Sequence, residues 1–271
     1  MTAHVRPEGL HFSVSQLKTW LRCPRAFEYR YIRGAEPEFV PMPLAFGSAF
    51  HEALAHHYGW LKAGETSPAL EASKQRFVDS FTAARNGPVP LQNDDDDGET
   101  FDLLQAKGLG MVQVALAHPL AASKVLAVEH TFTVDLRHPD TGEVLDIKLL
   151  GVVDLVIEDD GHRTIVEHKT SARKYTADQL MFDVQPSAYA YAATQLGWGD
   201  VGLKFNVVTK TKIPVVQVED LRRDDNDIED FLRTAVGVLT AVEAGVSFPV
   251  RGWACKGCQY KARCRAAGAS R

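Results

Sequence analysis

The sequence lacks the features that mark export or membrane insertion. None of its apolar runs approaches bilayer-spanning length, and the opening MTAHVRPEGLHF has no apolar signal-peptide core. A soluble, cytoplasmic protein is expected. No Pro/Gly/Ser-rich linker divides the chain and no internal repeat is evident, so one domain over residues 1–271 is the expectation. There is no Gly-x-x-x-x-Gly-Lys-Ser/Thr loop, which leaves no readable ATP motor. Excess positive charge is also missing: the net charge is −5, so composition does not advertise nucleic-acid binding. Cysteine is scarce, with only four in the chain.

What remains suits a globular protein with a sizeable core, at 45% hydrophobic and 24% charged residues. Charge is unevenly placed. Arg251, Lys256, Lys261, Arg263, Arg265 and Arg271 occur near one end without an acid, and Lys18 to Arg33 is also basic. These segments, with Lys204, Lys210 and Lys212, read either as a phosphate-binding surface or as ordinary solvated faces. The run Asp94–Asp97 reads as a solvated loop.

Hydrophobic periodicity predicts a mainly helical part over 1–120, with Ser15 as the cap of the first helix and Pro24 interrupting it. A sheet-bearing part with a crossover helix follows over 121–220, then a helix and a cysteine-bearing tail over 221–271. The fold class expected is α/β, with a central mixed sheet and helical additions.

The most informative stretch is GVVDLVIEDDGHRTIVEHK, residues 151–169, where Asp160-Gly161 suits a two-residue type I′ turn. That turn pairs Asp159 with His162 and brings Asp154 opposite Glu167, their Cβ atoms roughly 4.5–5.5 Å apart. Lys169 lies on the same face as Glu167. Opposed carboxylates repel unless something positive lies between them, either a divalent cation or the Lys169 ammonium. Two further pairs have helical i, i+4 spacing: Gly47 with His51, where glycine would allow close helix packing, and Gln185 with Tyr189. The cysteines, Cys23 and Cys255-x2-Cys258-x5-Cys264, leave no odd thiol and suggest metal ligation, by an iron–sulfur cluster or by zinc.

Together these residues resemble the PD-(D/E)XK nuclease superfamily. The likeness is to its RecB-like branch with a four-cysteine iron–sulfur cluster, the CRISPR-associated and phage-encoded Cas-four-type exonucleases, and the similar nuclease domain of AddB. It runs from SVSQLKTWLRCPRAFEYRY to CKGCQYKARC. It implies a restriction-endonuclease-like core with an N-terminal helical insertion and a cluster-stapled tail. It implies Mg²⁺ or Mn²⁺ held by His51, Asp154, Glu167 and the His168 backbone carbonyl, with Lys169, Gln185 and Tyr189 in the catalytic set. It also implies a [4Fe-4S] cluster on Cys23, Cys255, Cys258 and Cys264. The partner implied is DNA, single-stranded or with free ends, together with protein partners in recombination or CRISPR adaptation. Val153 stands where the superfamily's name has proline, and Glu167 where this branch often has aspartate. A non-catalytic DNA-binding accessory protein of the same fold is the alternative.

Overall fold

A computed structural model describes residues 11–65, 70–92, 100–159 and 161–269. The Asp94–Asp97 run and Asp160 lie outside the described residues.

The described residues open on a short strand, β1 (His11–Ser13), that runs directly into α1 (Val14–Arg22). The cap of α1 is Ser13 rather than the expected Ser15. Ser13 accepts from the Gln16 N–H at 3.2 Å while the Gln16 side chain accepts from the Ser13 N–H at 2.7 Å. This reciprocal box satisfies two otherwise orphaned donors, which Ser15 has no matching partner to do. Cys23 is extended because the residue before a proline avoids helical geometry, and Pro24 starts α2 (Pro24–Phe27). Three helices then form one layer: α3 (Met42–Lys62), α4 (Leu70–Arg85) and α5 (Phe101–Ala117). A small parallel pairing of β2 (Val40–Pro41) with β3 (Leu91–Gln92) ties the ends of this layer together.

Among the described residues the main sheet has six strands. They are β1, β4 (Lys124–Arg137), β5 (Val144–Asp159), β6 (His162–Ser171), β7 (Gly202–Thr209) and β8 (Val216–Leu221). The β5–β6 hairpin pairs Asp159 with His162, as the sequence indicated, and Gly161 has φ +78°. From β6 the chain crosses through α6 (Ala177–Met181) and α7 (Val184–Gln195) to β7, which lies parallel to β6. After β8 come α8 (Asp225–Glu243) and the tail helix α9 (Lys261–Ala269).

Each face of the sheet carries its own core. On one side Phe46, Phe50, Phe77, Phe81 and Met111 from α3, α4 and α5 cover Leu155, Val166 and Val208. On the other, Leu17, Tyr189, Ala192 and Phe231 from α1, α7 and α8 cover Leu149, Val153 and Ile165. Fully burying each such large side chain contributes about 1.5–3 kcal/mol. Among the described residues no helix is long and apolar enough to cross a membrane.

The partner of β5 changes along its length. On one side it pairs with parallel β1 up to Leu150 and with antiparallel β6 from Leu155 onwards. Residues 151–154 therefore face a gap between two strands. Gly151 also allows close packing: a Cβ there would come within 2.3 Å of the Phe132 ring.

Candidate active site

The gap supplies a backbone carbonyl without a strand partner, and α7 fills that need. Tyr189, 2% exposed, points its hydroxyl at the Val152 carbonyl at 2.8 Å and at Glu167 Oε2 at 2.7 Å. One turn earlier on the same face, the Gln185 side-chain amide donates to Glu167 Oε1 at 2.8 Å and to the Tyr189 hydroxyl at 2.7 Å. The Lys169 ammonium donates to Glu167 Oε1 at 2.6 Å and to Gln185 Oε1 at 2.8 Å. Asp183 fixes the start of α7 by accepting from the Gln185 N–H, and its carboxylate also holds Lys18 at 2.7 Å. The ammonium of Lys18 in turn reaches Gln185 Oε1 at 3.1 Å.

From the other face α3 brings His51, whose Nδ1 lies 3.1 Å from Asp154 Oδ1. The second oxygen of Asp154 accepts from the His168 backbone N–H at 2.7 Å. The β5–β6 ladder ends at Leu155 and Val166, so Asp154 and Glu167 stand just beyond its last pair. Gly47 on α3 is not forced by packing: a Cβ there would lie 3.8 Å from Thr170, an ordinary contact.

Glu129 is a member of this group that the sequence did not reveal. The β4–β5 register pairs Val128 with Leu155 and His130 with Val153, which sets Glu129 against Asp154. Its φ of +47° is the one positive value at a non-glycine among the described residues. Left-handed backbone of this kind is unfavourable for such a residue and is concentrated at functional sites. His51, Glu129 and Asp154 each present a donor atom within 4.8 Å of the others. One imidazole with hard carboxylate oxygens is a donor set that suits Mg²⁺ or Mn²⁺. The Glu167 carboxylate lies outside this trio, engaged by Lys169, Gln185 and Tyr189.

The electrostatics separate these acids. Burial works against an ionised Asp154, but the hydrogen bond and charge of His51 outweigh it and lower the pKa. Glu167 moves the opposite way, raised first by burial and then by the charge of Asp154. Burial opposes a charged Lys169, yet Glu167 holds its pKa above the usual value, so the resting side chain is an ammonium. For His51 the pull of Asp154 likewise overcomes burial and raises the pKa. His168 turns to the other face, stacks on Tyr58 at 5.6 Å, and burial pushes it down to about 4. It is a neutral packing residue.

Where α1 ends, Cys23, Cys255, Cys258 and Cys264 border one cavity of about 200 Å³. None of the four is in a disulfide. Burial raises the Cys258 pKa, and its three fellow cysteines add to the effect. Among the described residues no three of the sulfurs come within 4.8 Å of one another. The two ends of the chain are also joined without any metal. Arg25 N–H donates to the Phe248 carbonyl at 3.1 Å, and Glu38 accepts from the Ala262 and Arg263 N–H groups. Of the late-hairpin lysines, Lys204 pairs with Asp220 at 2.6 Å and Lys210 lies over the Phe46 ring.

The chain aligns with a crystal structure of a candidate exonuclease from Eubacterium rectale over 98% of its own length and 94% of that chain. The TM-score is 0.56 at 15% identity, a likeness of fold. The structure of SSO0001 aligns over 97% of this chain and 89% of its own at 17% identity, with a TM-score of 0.43. No curated protein sequence matches significantly. The profile of the PD-(D/E)XK nuclease superfamily matches residues 11–265, and the chain belongs to that superfamily.

Proposed function

We propose that the protein is a metal-dependent deoxyribonuclease, an exonuclease that hydrolyses phosphodiester bonds in single-stranded DNA or at DNA ends. The observation that carries this reading is the meeting of two groups at the gap in β5. These are the His51–Glu129–Asp154 donor set and the Lys169–Glu167–Gln185–Tyr189 network. His51, Glu129 and Asp154, with Glu167 alongside, would hold a divalent cation, which would supply Lewis acidity towards a scissile phosphate and activate water for attack. Gln185 and Tyr189 keep Glu167 in place. Lys169, held as an ammonium by Glu167, orients the attacking water and offsets charge developing on the phosphate.

The test is digestion of end-labelled single- and double-stranded DNA with Mg²⁺ or Mn²⁺, comparing the protein with Lys169→Ala. Cleavage should fall by about 10²–10⁴-fold in the variant. An unchanged rate removes Lys169 from the mechanism. No cleavage by the unsubstituted protein favours the alternative of a DNA-binding accessory protein, for which a lysine tied into a catalytic network has no evident use.

The cysteine cavity we assign to a [4Fe-4S] cluster that braces the two ends of the chain. A single tetrahedral zinc with bonds near 2.3 Å would draw its sulfurs to about 3.8 Å apart. Four thiols spread around one cavity suit a larger group. Iron and sulfide analysis with a visible absorption spectrum on anaerobically purified protein tests this. A colourless, zinc-containing protein overturns it.

A further inference from the structure

Beside the catalytic network lies a short connection whose backbone is tightly held while its largest side chains stand in solvent. The backbone N–H and carbonyl of Tyr175 are both bound by the Gln217 side-chain amide, at 2.8 and 3.1 Å. Thr176 and Gln179 form a capping box at the start of α6. At its far end the Arg223 guanidinium donates to the carbonyls of Leu180, Met181 and Asp183 at 2.8, 3.1 and 3.2 Å. Yet Met181 is 62% exposed and Phe182 73% exposed. A single exposed apolar residue needs no explanation. Two adjacent large ones on a pinned turn are a different matter, because hydrogen bonding fixes the backbone that carries them.

The position of this turn gives it meaning. Phe182 immediately precedes Asp183, which holds Lys18; Lys18 reaches Gln185, and Gln185 reaches Lys169. Arg173 and Lys174, both exposed, lie on the same connection. The connection that leads into the network thus carries an exposed aromatic ring and exposed cations. A nucleotide whose base is unstacked can use both, laying the base on the ring and its phosphate against an ammonium, whereas bases inside a duplex remain stacked on one another.

We infer that Phe182, flanked by Met181, is a stacking platform for an unpaired nucleobase at the mouth of the site, with Lys18 receiving the neighbouring phosphate. This rests on the nuclease reading above and names the feature that makes single strands the preferred substrate. Because Phe182 is exposed, Phe182→Ala should fold normally, which an unchanged melting temperature verifies.

The experiment measures kcat and KM on a single-stranded oligonucleotide, on a blunt duplex, and on single strands carrying one abasic site at successive positions. Phe182→Ala should raise KM for the single strand by about 5- to 150-fold while kcat stays within about threefold, and Phe182→Trp should restore it. One abasic position should reproduce the defect in the unsubstituted protein and add nothing to it in Phe182→Ala. An unchanged KM in Phe182→Ala, or an equal rise on the blunt duplex, overturns the platform while leaving the nuclease standing. If the unsubstituted protein cleaves no DNA at all, it is the nuclease reading that fails.

Discussion

Removing one oxygen atom from Tyr189 tests the site from the inside. Tyr189→Phe keeps the ring, which is 2% exposed and packs edge-on against Phe132 with centroids 6.2 Å apart, so no cavity opens. What goes is a hydroxyl between Glu167 Oε2, the Val152 carbonyl and the Gln185 amide, at 2.7, 2.8 and 2.7 Å. A hydroxyl has one proton to give, so Glu167 and Val152 cannot both be served while Glu167 is ionised. With Glu167 paired to the Lys169 ammonium, its carboxylate is the stronger acceptor and takes the Tyr189 proton. Losing a bond to a buried carboxylate and stranding a polar partner costs about 2 kcal/mol, or roughly 4–8 °C in melting temperature.

The pH dependence has a definite sign. A carboxyl whose folded pKa is raised adds stability below its unfolded value, and that stability is lost as pH rises through the folded value. Removing the Tyr189 donor pushes Glu167 further up, so the variant's deficit should be larger at pH 8 than at pH 5. Denaturant melts at both pH values measure this directly. In cleavage assays the acid limb of the pH profile should move to higher pH. Equal stability at both pH values, with an unmoved acid limb, would refute the proton arrangement.

Other expectations follow from single contacts. Gly151→Ala should destabilise by about 1–3 kcal/mol, because its Cβ would strike the Phe132 ring at 2.3 Å. Gly47→Ala should instead leave the melting temperature unchanged or slightly raised, since its Cβ meets only an ordinary contact and mid-helix glycine is itself unfavourable. A large loss at position 47 would overturn that packing account. Protons and Mn²⁺ should compete at His51, whose pKa lies above the ordinary imidazole value of about 6.5. Mn²⁺ affinity by calorimetry should therefore begin to weaken above about pH 6.5 as acid is added, and His51→Asn should flatten that dependence. A pH-independent affinity in the unsubstituted protein would remove His51 from the metal site.

The parts of the site that could be read from sequence are those set by local rules. A tight turn at Gly161 fixes the pairing of Asp159 with His162, and helical spacing places Gln185 and Tyr189 on one face. The Ser13-x-x-Gln16 box is equally legible, whereas Ser15 has Lys18, which offers no acceptor, three residues on. Glu129 was of another kind. In KVLAVEHTFTVDL it looks like one polar residue of an alternating strand. Its place opposite Asp154 depends on the β4–β5 register, which passes through an irregularity between Asp135 and Arg137 instead of a two-residue turn. The gap in β5 is less visible still, because it is created by β1, a strand more than a hundred residues away in sequence that pairs in parallel. No local pattern encodes such a contact.

The left-handed backbone at Glu129 sets two kinds of fitness against each other. Glycine would adopt φ +47° without strain and would also remove a carboxylate from beside Asp154. Glu129→Gly is thus expected to make the metal-free protein more heat-resistant and a poorer binder of Mn²⁺. Selecting variants for survival on heating would therefore erode the site, and selecting for cleavage would keep a residue the sheet would be better without.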